Sequence, residues 1–201
     1  MLVELDKAPP RVQDALARLY RQLGVHEVVI LPVRSESDAE INECFAAVEK
    51  KILRDGGKAV FGWAIHANPL LVEAECHAVW QAPSGELVDL TPKLNHAHAT
   101  SFIADPGLSD DGRQRNNVRV AVYEKDALVA RFIRVCDDIF DVMNRGERAD
   151  QLGAVAIPGA EIGPLIIKHE QLTRRMRERP FGPDEPCVCG SSRKQKRCCG
   201  I

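Results

Sequence analysis

Residues 70–92 read LLVEAECHAVWQAPSGELVDLTP, and the pattern of this stretch predicts a β-hairpin. Two apolar runs, 70–81 and 86–90, have the length of strands, and Pro83-Ser84-Gly85 between them supplies the residues of a tight turn. Other strands are predicted at residues 28–33, 59–65 and 100–104. Strands that follow one another through short connections pair antiparallel, so this part of the chain predicts an antiparallel sheet.

Segments with helical periodicity lie on both sides of the strands. Apolar residues recur at spacings of three and four over 9–23, from residue 38 or 42 to 54, and within 119–144, and a basic helix is predicted at 167–179. The stretch 152–167 is predicted to be irregular or a short strand, because it holds four helix-interrupting residues: Pro158, Gly159, Gly163 and Pro164. The order of elements indicates an α+β domain in which an antiparallel sheet packs with helices.

The end of the chain holds the strongest chemical signal. Four of the seven cysteines stand there as Cys-x-Cys, eight residues and Cys-Cys: Cys187, Cys189, Cys198 and Cys199. Four thiolates in so short a segment can surround one Zn²⁺ tetrahedrally, and closed sites of this kind are structural. Disulfides are the alternative, but the adjacent cysteines 198 and 199 make two simple bridges awkward. We therefore expect Zn²⁺ as the cofactor.

Composition places the chain among ordinary globular proteins, with 45% hydrophobic and 28% charged residues in a total of 201. We expect an α+β main domain at 1–179, a Pro/Gly-containing linker at 180–186 and a zinc-binding tail at 187–201. No apolar run approaches the roughly 20 residues of a membrane helix, and residues 1–6 lack the basic flank of a signal peptide. These features predict a cytoplasmic protein without a membrane partner.

Charge is distributed unevenly along the chain. Residues 166–201 hold nine Lys/Arg against four Asp/Glu, a net charge of +5, and because the whole chain carries −2, the first 165 residues carry −7. A basic tail on an acidic body predicts an anionic protein partner for the tail, with nucleic acid or a ribosome as the alternative. The low aromatic content of 5% argues against sequence-specific recognition of nucleic acid.

The segment 184–200, DEPCVCGSSRKQKRCCG, resembles the SEC-C zinc motif. This motif is found at the C-terminus of the bacterial protein-translocation ATPase and on many otherwise unrelated bacterial proteins. The resemblance implies a bacterial protein that binds zinc through the four cysteines and docks to a protein partner. The segment departs from the common form at Val188, usually proline, and at Ser192, usually glycine, neither of which is a ligand.

Cys44, His77 and Asp89 form a candidate thiol site in the main domain. Cys44 lies near the start of a predicted helix, where the helix dipole favours a thiolate, and the other two residues lie on neighbouring strands of the hairpin. An imidazole beside a thiol acts as base and acid, and a carboxylate beside the imidazole holds its tautomer. The alternative is that Cys44 is a small hydrophobe in a helix interface, His77 an ordinary strand residue, and Asp89 an acid bonded to Thr91.

Residues 40–92 also resemble the core of transglutaminase-like and papain-like enzymes, residue by residue at Cys44, His77 and Asp89. Those families place the nucleophile on a helix and the histidine and aspartate on successive strands of a barrel-like sheet. The resemblance implies a catalytic triad of these three residues.

Three functions are compatible with these patterns. The first is a thiol hydrolase or acyltransferase that uses the zinc tail for targeting. The second is a non-catalytic adaptor whose body and tail both bind protein. The third is a ribosome-associated or nucleic-acid-associated protein that uses the basic C-terminal third of the chain.

Overall fold

The computed structural model describes residues 5–25, 27–93, 96–151 and 155–200. Its helices and strands, in chain order, are α1 (Pro10–Leu23), β1 (Val28–Pro32), α2 (Cys44–Asp55), β2 (Lys58–Ala67), β3 (Leu71–Gln81), β4 (Leu87–Val88), β5 (Ala99–Ala104), β6 (Val118–Ala121), α3 (Ala127–Met143) and α4 (Gly159–Glu178). Short 3-10 helices lie at Leu5–Lys7, Gly146–Asp150 and Gln195–Arg197. None of the helices in these described ranges is long and apolar enough to span a membrane.

The chain divides into two compact units. Unit 1 comprises residues 1–19, 67–72 and 112–201, and unit 2 comprises residues 20–66 and 73–111. Unit 2 therefore contains β1, α2, β4, β5 and most of β2 and β3. Unit 1 contains most of α1 together with β6, α3, α4 and the cysteine-rich tail.

The predicted antiparallel sheet with accompanying helices is confirmed. Its strands lie in the order β1-β5-β2-β3-β4, and β6 pairs with β3. β5 runs antiparallel to both β1 and β2, with Phe102 opposite Val29 on one side and opposite Ala64 on the other. β3 and β4 form the expected hairpin, in which Trp80 lies opposite Val88.

The first and last strands in this order, β1 and β4, are joined at Asp89. The backbone N–H of Asp89 donates to the carbonyl of Pro32 at 3.0 Å, and the N–H of Arg34 donates to the carbonyl of Asp89 at 2.9 Å. These bonds form a parallel bridge between Val33 and Asp89. The backbone of Asp89 is therefore held from β1 as well as from the hairpin.

The core of unit 2 lies between α2 and the strands. One cluster of buried residues consists of Cys44, Ala47, Val48, Ala78, Val88 and Leu90, and another of Leu31, Val79 and Phe102. Each Val, Leu or Phe side chain that is fully removed from water contributes about 1.5–3 kcal/mol to folding. The first turn of α2 is thereby fixed against β3 and β4, the hairpin that carries His77 and Asp89.

In unit 1, a buried acid ties two helices together. Asp126 caps α3, accepting hydrogen bonds from the backbone N–H groups of Leu128 (3.1 Å) and Val129 (3.2 Å). Its carboxylate also accepts two bonds from the guanidinium of Arg179, at 2.9 and 2.6 Å. Because Arg179 directly follows α4, this pairing fixes where the tail begins relative to α3.

Two sequence predictions in unit 1 are partly wrong. The stretch 119–144 contains the predicted helix as α3, but its first residues, 119–121, belong to β6, whose Val-Arg-Val-Ala alternation has the period of a strand. α4 begins at Gly159, although Pro164 lies inside it and removes one backbone donor. Pro158 directly before the helix has a φ of −56°, which suits a helix start. Residues 152–154, which belonged to the same prediction, lie outside the described residues.

Candidate functional site

The structure brings the four C-terminal cysteines together. One sulfur atom from each residue lies within 4.8 Å of all the others. Sγ of Cys189 is 3.4 Å from that of Cys187 and 3.5 Å from that of Cys198. A tetrahedron with Zn–S bonds of about 2.3 Å has sulfur atoms about 3.8 Å apart, so the cluster has the size of a four-thiolate zinc site. These residues can hold one metal ion.

Hydrogen-bond donors around the sulfur atoms stabilise the thiolate forms, which are the forms that bind a metal cation. The guanidinium of Arg193 donates to Sγ of Cys198 at 3.2 Å, and the hydroxyl of Ser191 lies 3.1 Å from the same sulfur. Burial raises the pKa of Cys199, and the neighbouring thiols raise it further, to about 12. Hydrogen bonding with Ser191 and Cys187 lowers the pKa of Cys189 to about 6. The four thiols thus compete for protons, and a divalent cation relieves this competition by binding all of them as thiolates.

Gln195 is the buried centre of the tail, a position that no pattern in the sequence indicates. Its side chain is 1% exposed. Its Oε1 accepts from the N–H of Val188 at 3.1 Å, and its Nε2 donates to the carbonyl of Gly200 at 2.6 Å. Its backbone carbonyl also accepts from Cys198 (3.1 Å) and Gly200 (2.9 Å). One glutamine therefore connects the segments on both sides of the cysteine cluster.

Contacts within unit 1 hold the tail. The guanidinium of Arg11, on α1, donates to the carbonyl of Cys199. The ring of Phe181 lies edge-on to that of Tyr123, with centroids 5.8 Å apart. The residues before the cysteines are thus packed against unit 1 by an aromatic contact as well as by the pairing of Arg179 with Asp126.

The basic residues of the tail are partly neutralised. Asp184 pairs with Lys194 at 2.9 Å and with Lys196 at 2.8 Å, and both lysines are about half exposed. Arg193 is directed at a sulfur atom. Arg197 is exposed, as are Arg174, Arg175 and Arg177 on α4. The charge open to a partner is therefore smaller than the sequence count suggests.

The residues of the candidate thiol site also lie together. Cys44 is the first residue of α2, and it is 4% exposed. His77 on β3 is 2% exposed, and the buried Asp89 follows β4 directly. The thiol of Cys44 lies beside the His77 ring, close enough to affect the protonation of the imidazole.

The carboxylate of Asp89 is surrounded by donors. Oδ1 lies 3.1 Å from Nε2 of His77 and accepts from the N–H of Thr91 at 3.0 Å. Oδ2 accepts from the hydroxyl of Thr100 and lies close to Nζ of Lys93, both at 2.6 Å. Asp89 thus makes the contact with Thr91 expected of a turn residue and the contact with His77 expected of a triad.

The imidazole of His77 is buried, yet its neighbours favour the protonated form. Burial lowers the pKa of His77, but the Asp89 carboxylate and the Cys44 thiol raise it more, to about 9. Burial likewise raises the pKa of Asp89, whereas His77 and Lys93 bring it well below its usual range. Although Nε2 of His77 is close to Asp89, the oxygen is out of line with the N–H, and neither ring nitrogen has a directed hydrogen bond among the described residues. The ring therefore has unused hydrogen-bonding capacity inside a buried site.

A second acid–histidine pair lies beside this site. Nε2 of His66 on β2 is 2.9 Å from Oε2 of Glu75 on β3, and both side chains are about one-third exposed. Burial raises the pKa of Glu75, but His66, His77 and Lys93 bring it below its ordinary value. Sequence reasoning identified Cys44, His77 and Asp89 but missed Lys93, Thr100 and Glu75 around them.

No protein-family model matches the chain, and neither a curated protein nor a solved structure is significantly similar to it. Its function is therefore inferred from its own residues and their geometry.

The tail should bind one zinc ion per chain, as measured by elemental analysis of reduced protein. The double variant Cys198→Ser/Cys199→Ser should contain none, because it loses two of the four ligands. Gln195→Ala keeps all four and should bind zinc about 10–100-fold less tightly, since residues that orient ligands have effects of this size. The matched control is Gln171→Ala, at an exposed position on α4. Equal affinity in both glutamine variants would contradict the role of Gln195, and metal-free wild-type protein would contradict the site.

Folding stability should depend on pH through His77. Its pKa is raised from 6.5 to about 9 in the folded protein, so its stabilisation is complete below pH 6.5 and is lost as the pH rises through about 9. Between about pH 6 and pH 10, urea unfolding of the wild type should lose about 3 kcal/mol relative to His77→Gln, in which this titration is absent. If the two proteins lose stability in parallel, His77 is not a buried cation.

Proposed function

We propose that the protein is a zinc-binding thiol enzyme that hydrolyses or transfers an acyl or amide group. Cys44 is the nucleophile and His77 the general acid and base. Asp89 orients the imidazole and favours its protonated form. The observation that carries the proposal is the grouping of these three residues, distant in sequence, at one buried position of unit 2.

Each residue suits its step of the reaction. The sulfur of Cys44 attacks the carbonyl carbon of the substrate, and the proton of the His77 ring passes to the leaving amine or alcohol as its bond to carbon breaks. The product is a thioester on Cys44 and a neutral imidazole. Water or an acceptor alcohol or amine then gives a proton to His77 and attacks the thioester, which restores the thiolate and the imidazolium. Cys44 opens α2, and Glu43 before it makes no side-chain cap.

A cleft lies beside the first turns of α2. Glu43, Ala46 and Ala47 contribute to its lining, and its volume is about 230 Å³. Ala47 also packs in the same buried cluster as Cys44. Ala47 is therefore a residue shared by the cleft and the buried cluster around Cys44. With Cys44 only 4% exposed, we propose that the substrate displaces side chains at this turn when it binds.

We propose that residues 187–201 form a SEC-C-type zinc module, joined through residues 180–186 to a main domain at 1–179. Support comes from Ser192, which stands where the motif commonly has glycine. Its φ is +61°, a left-handed conformation that glycine adopts without strain. Gly190 and Gly200, which match the motif, also have positive φ values of 77° and 74°. The backbone of the tail thus has the shape for which the usual glycines are suited.

The exposed arginines of α4 and the tail support docking to an anionic partner. Proteins with acidic surfaces and nucleic acids share the chemistry that such a surface recognises, and we propose an acidic protein. A non-catalytic adaptor would use the same surface but would leave Cys44 as a structural residue. The reactivity of Cys44 separates these two functions.

Cys44 should react with iodoacetamide near neutral pH at least about tenfold faster than Cys76 or Cys136. Both of those residues are more exposed than Cys44, so solvent access alone predicts the opposite order. His77→Gln should slow the reaction of Cys44 about tenfold, because the imidazolium that stabilises the thiolate is absent. Asp89→Asn should have a smaller effect, through the orientation of the ring. Rates at each site can be measured by mass spectrometry of the zinc-loaded protein.

Slow labelling of Cys44 would contradict the enzyme. A structural cysteine in a helix interface would label more slowly than Cys136 and would be indifferent to the His77 change. That outcome would exclude the enzyme and leave the adaptor.

Neutralising exposed arginines should weaken docking without unfolding the protein. A triple variant, Arg174→Gln/Arg175→Gln/Arg197→Gln, should recover less of an acidic partner from cell extract, with a larger difference at low salt than at high salt. Lys194→Gln/Lys196→Gln is the control, because these lysines already pair with Asp184 and should matter less. Equal recovery by all three proteins would contradict docking through this surface. Loss of the partner on nuclease treatment would identify nucleic acid instead.

A further inference from the structure

Lys93 is a fourth charged residue at the thiol site. Its Nζ lies 2.6 Å from Oδ2 of Asp89, and its side chain is only 15% exposed. Asp89 itself is fully buried. A lysine side chain ordinarily keeps its ammonium in water, so a largely buried one paired to a buried acid is a specific contact rather than a surface ion pair.

The charge of Lys93 balances the site. With Cys44 as thiolate, His77 as imidazolium and Asp89 as carboxylate, the three residues carry a net charge of −1 in a buried environment. Lys93 brings the sum to zero. The sum is also zero when the proton moves from His77 back to Cys44, because Asp89 and Lys93 then balance each other. Proton transfer between sulfur and nitrogen thus leaves no uncompensated buried charge, which would cost several kcal/mol.

The other groups around the site do not replace this cation. Glu75, on the same strand as His77, is negative and paired to His66, and its side chain is one-third exposed and partly screened by water. The remaining contacts of Asp89 come from the neutral N–H of Thr91 and hydroxyl of Thr100. Among the described residues that contact Asp89, His77 and Lys93 are the cations, and His77 is the one that must release its proton during the reaction.

We propose that Lys93 is a positioning residue of the thiol site, which holds Oδ2 of Asp89 and balances its charge so that His77 can release as well as bind the proton it exchanges with Cys44. This inference rests on the proposed function. Without Lys93, His77 is the only cation left beside Asp89 among the described residues. The carboxylate then binds the imidazolium more strongly, and His77 becomes a poorer acid toward the leaving group.

The test is an NMR titration of the His77 ring in zinc-loaded wild type, Lys93→Gln and Lys93→Arg. Glutamine keeps a hydrogen-bond donor but removes the charge, and it should raise the pKa of His77 by about one pH unit or more. Arginine keeps the charge, and the pKa of His77 should stay near the wild-type value. A purely structural role for Lys93 would leave the titration of Lys93→Gln unchanged, and that result would overturn the inference.

A second variant keeps the inference testable if Lys93→Gln does not fold. Asp89→Asn/Lys93→Gln removes both members of the pair, and neutral replacement of a buried ion pair is often tolerated. Compared with Asp89→Asn alone, which leaves Lys93 as a cation without its acid partner near the ring, the pKa of His77 should be higher in this double variant, because Lys93 no longer repels the imidazolium. Equal pKa values in the two variants would show that Lys93 does not act on His77 and would overturn the inference.

The titration of His77 and the labelling of Cys44 test the role of Lys93 and the enzyme separately. If Cys44 is unreactive, the enzyme is excluded, whatever His77 does. If Cys44 is reactive and Lys93→Gln leaves the pKa of His77 unchanged, only the role of Lys93 is excluded.

Discussion

The buried carboxylate of Asp89 is the interaction on which unit 2 depends. Its backbone joins β4 to β1, and its side chain contacts donors from β3, from β5 and from the residues that follow β4. A buried carboxylate without partners costs several kcal/mol, so these elements must keep their relative positions for the acid to remain charged. The same bonds that hold the strands together place His77 beside Cys44. The Asp89 carboxylate therefore serves both the fold of unit 2 and the proposed chemistry, and a substitution of Asp89 should affect both.

The cysteine-rich tail of unit 1 is stabilised without an apolar core. The segment from Cys187 to Gly200 has almost no apolar residues, and within it Cys187 and Gln195 are buried. It lacks a hydrophobic core, so its shape depends on backbone hydrogen bonds to one glutamine and on the clustered thiols. A metal ion bound by the four thiolates would supply the stability that apolar burial supplies elsewhere. The contacts of Arg11 and Phe181 then hold this small module within unit 1.

The sequence predicted the parts of the protein that depend on local pattern. The β3–β4 hairpin follows from a turn between two apolar runs, and the cluster of four cysteines follows from their spacing within one short segment. Lys93 could not be found this way, because it reaches Asp89 only after the chain turns at Thr91, and a lysine four residues after an aspartate is common on surfaces. Gln195 stands among basic residues and gives no sign of burial. The start of α4 differs from the prediction because Pro164, which interrupts the helical pattern, lies inside a helix that the rest of its sequence supports.

We infer that Asp89 keeps His77 charged inside the protein. The ¹⁵N signals of the His77 ring, recorded at about pH 7.5 and thus well above the ordinary histidine pKa of 6.5, report this charge. Both ring nitrogens should carry protons under these conditions, as in an imidazolium. A neutral ring with a single protonated nitrogen would contradict it, since Asp89 would then act as an ordinary turn residue.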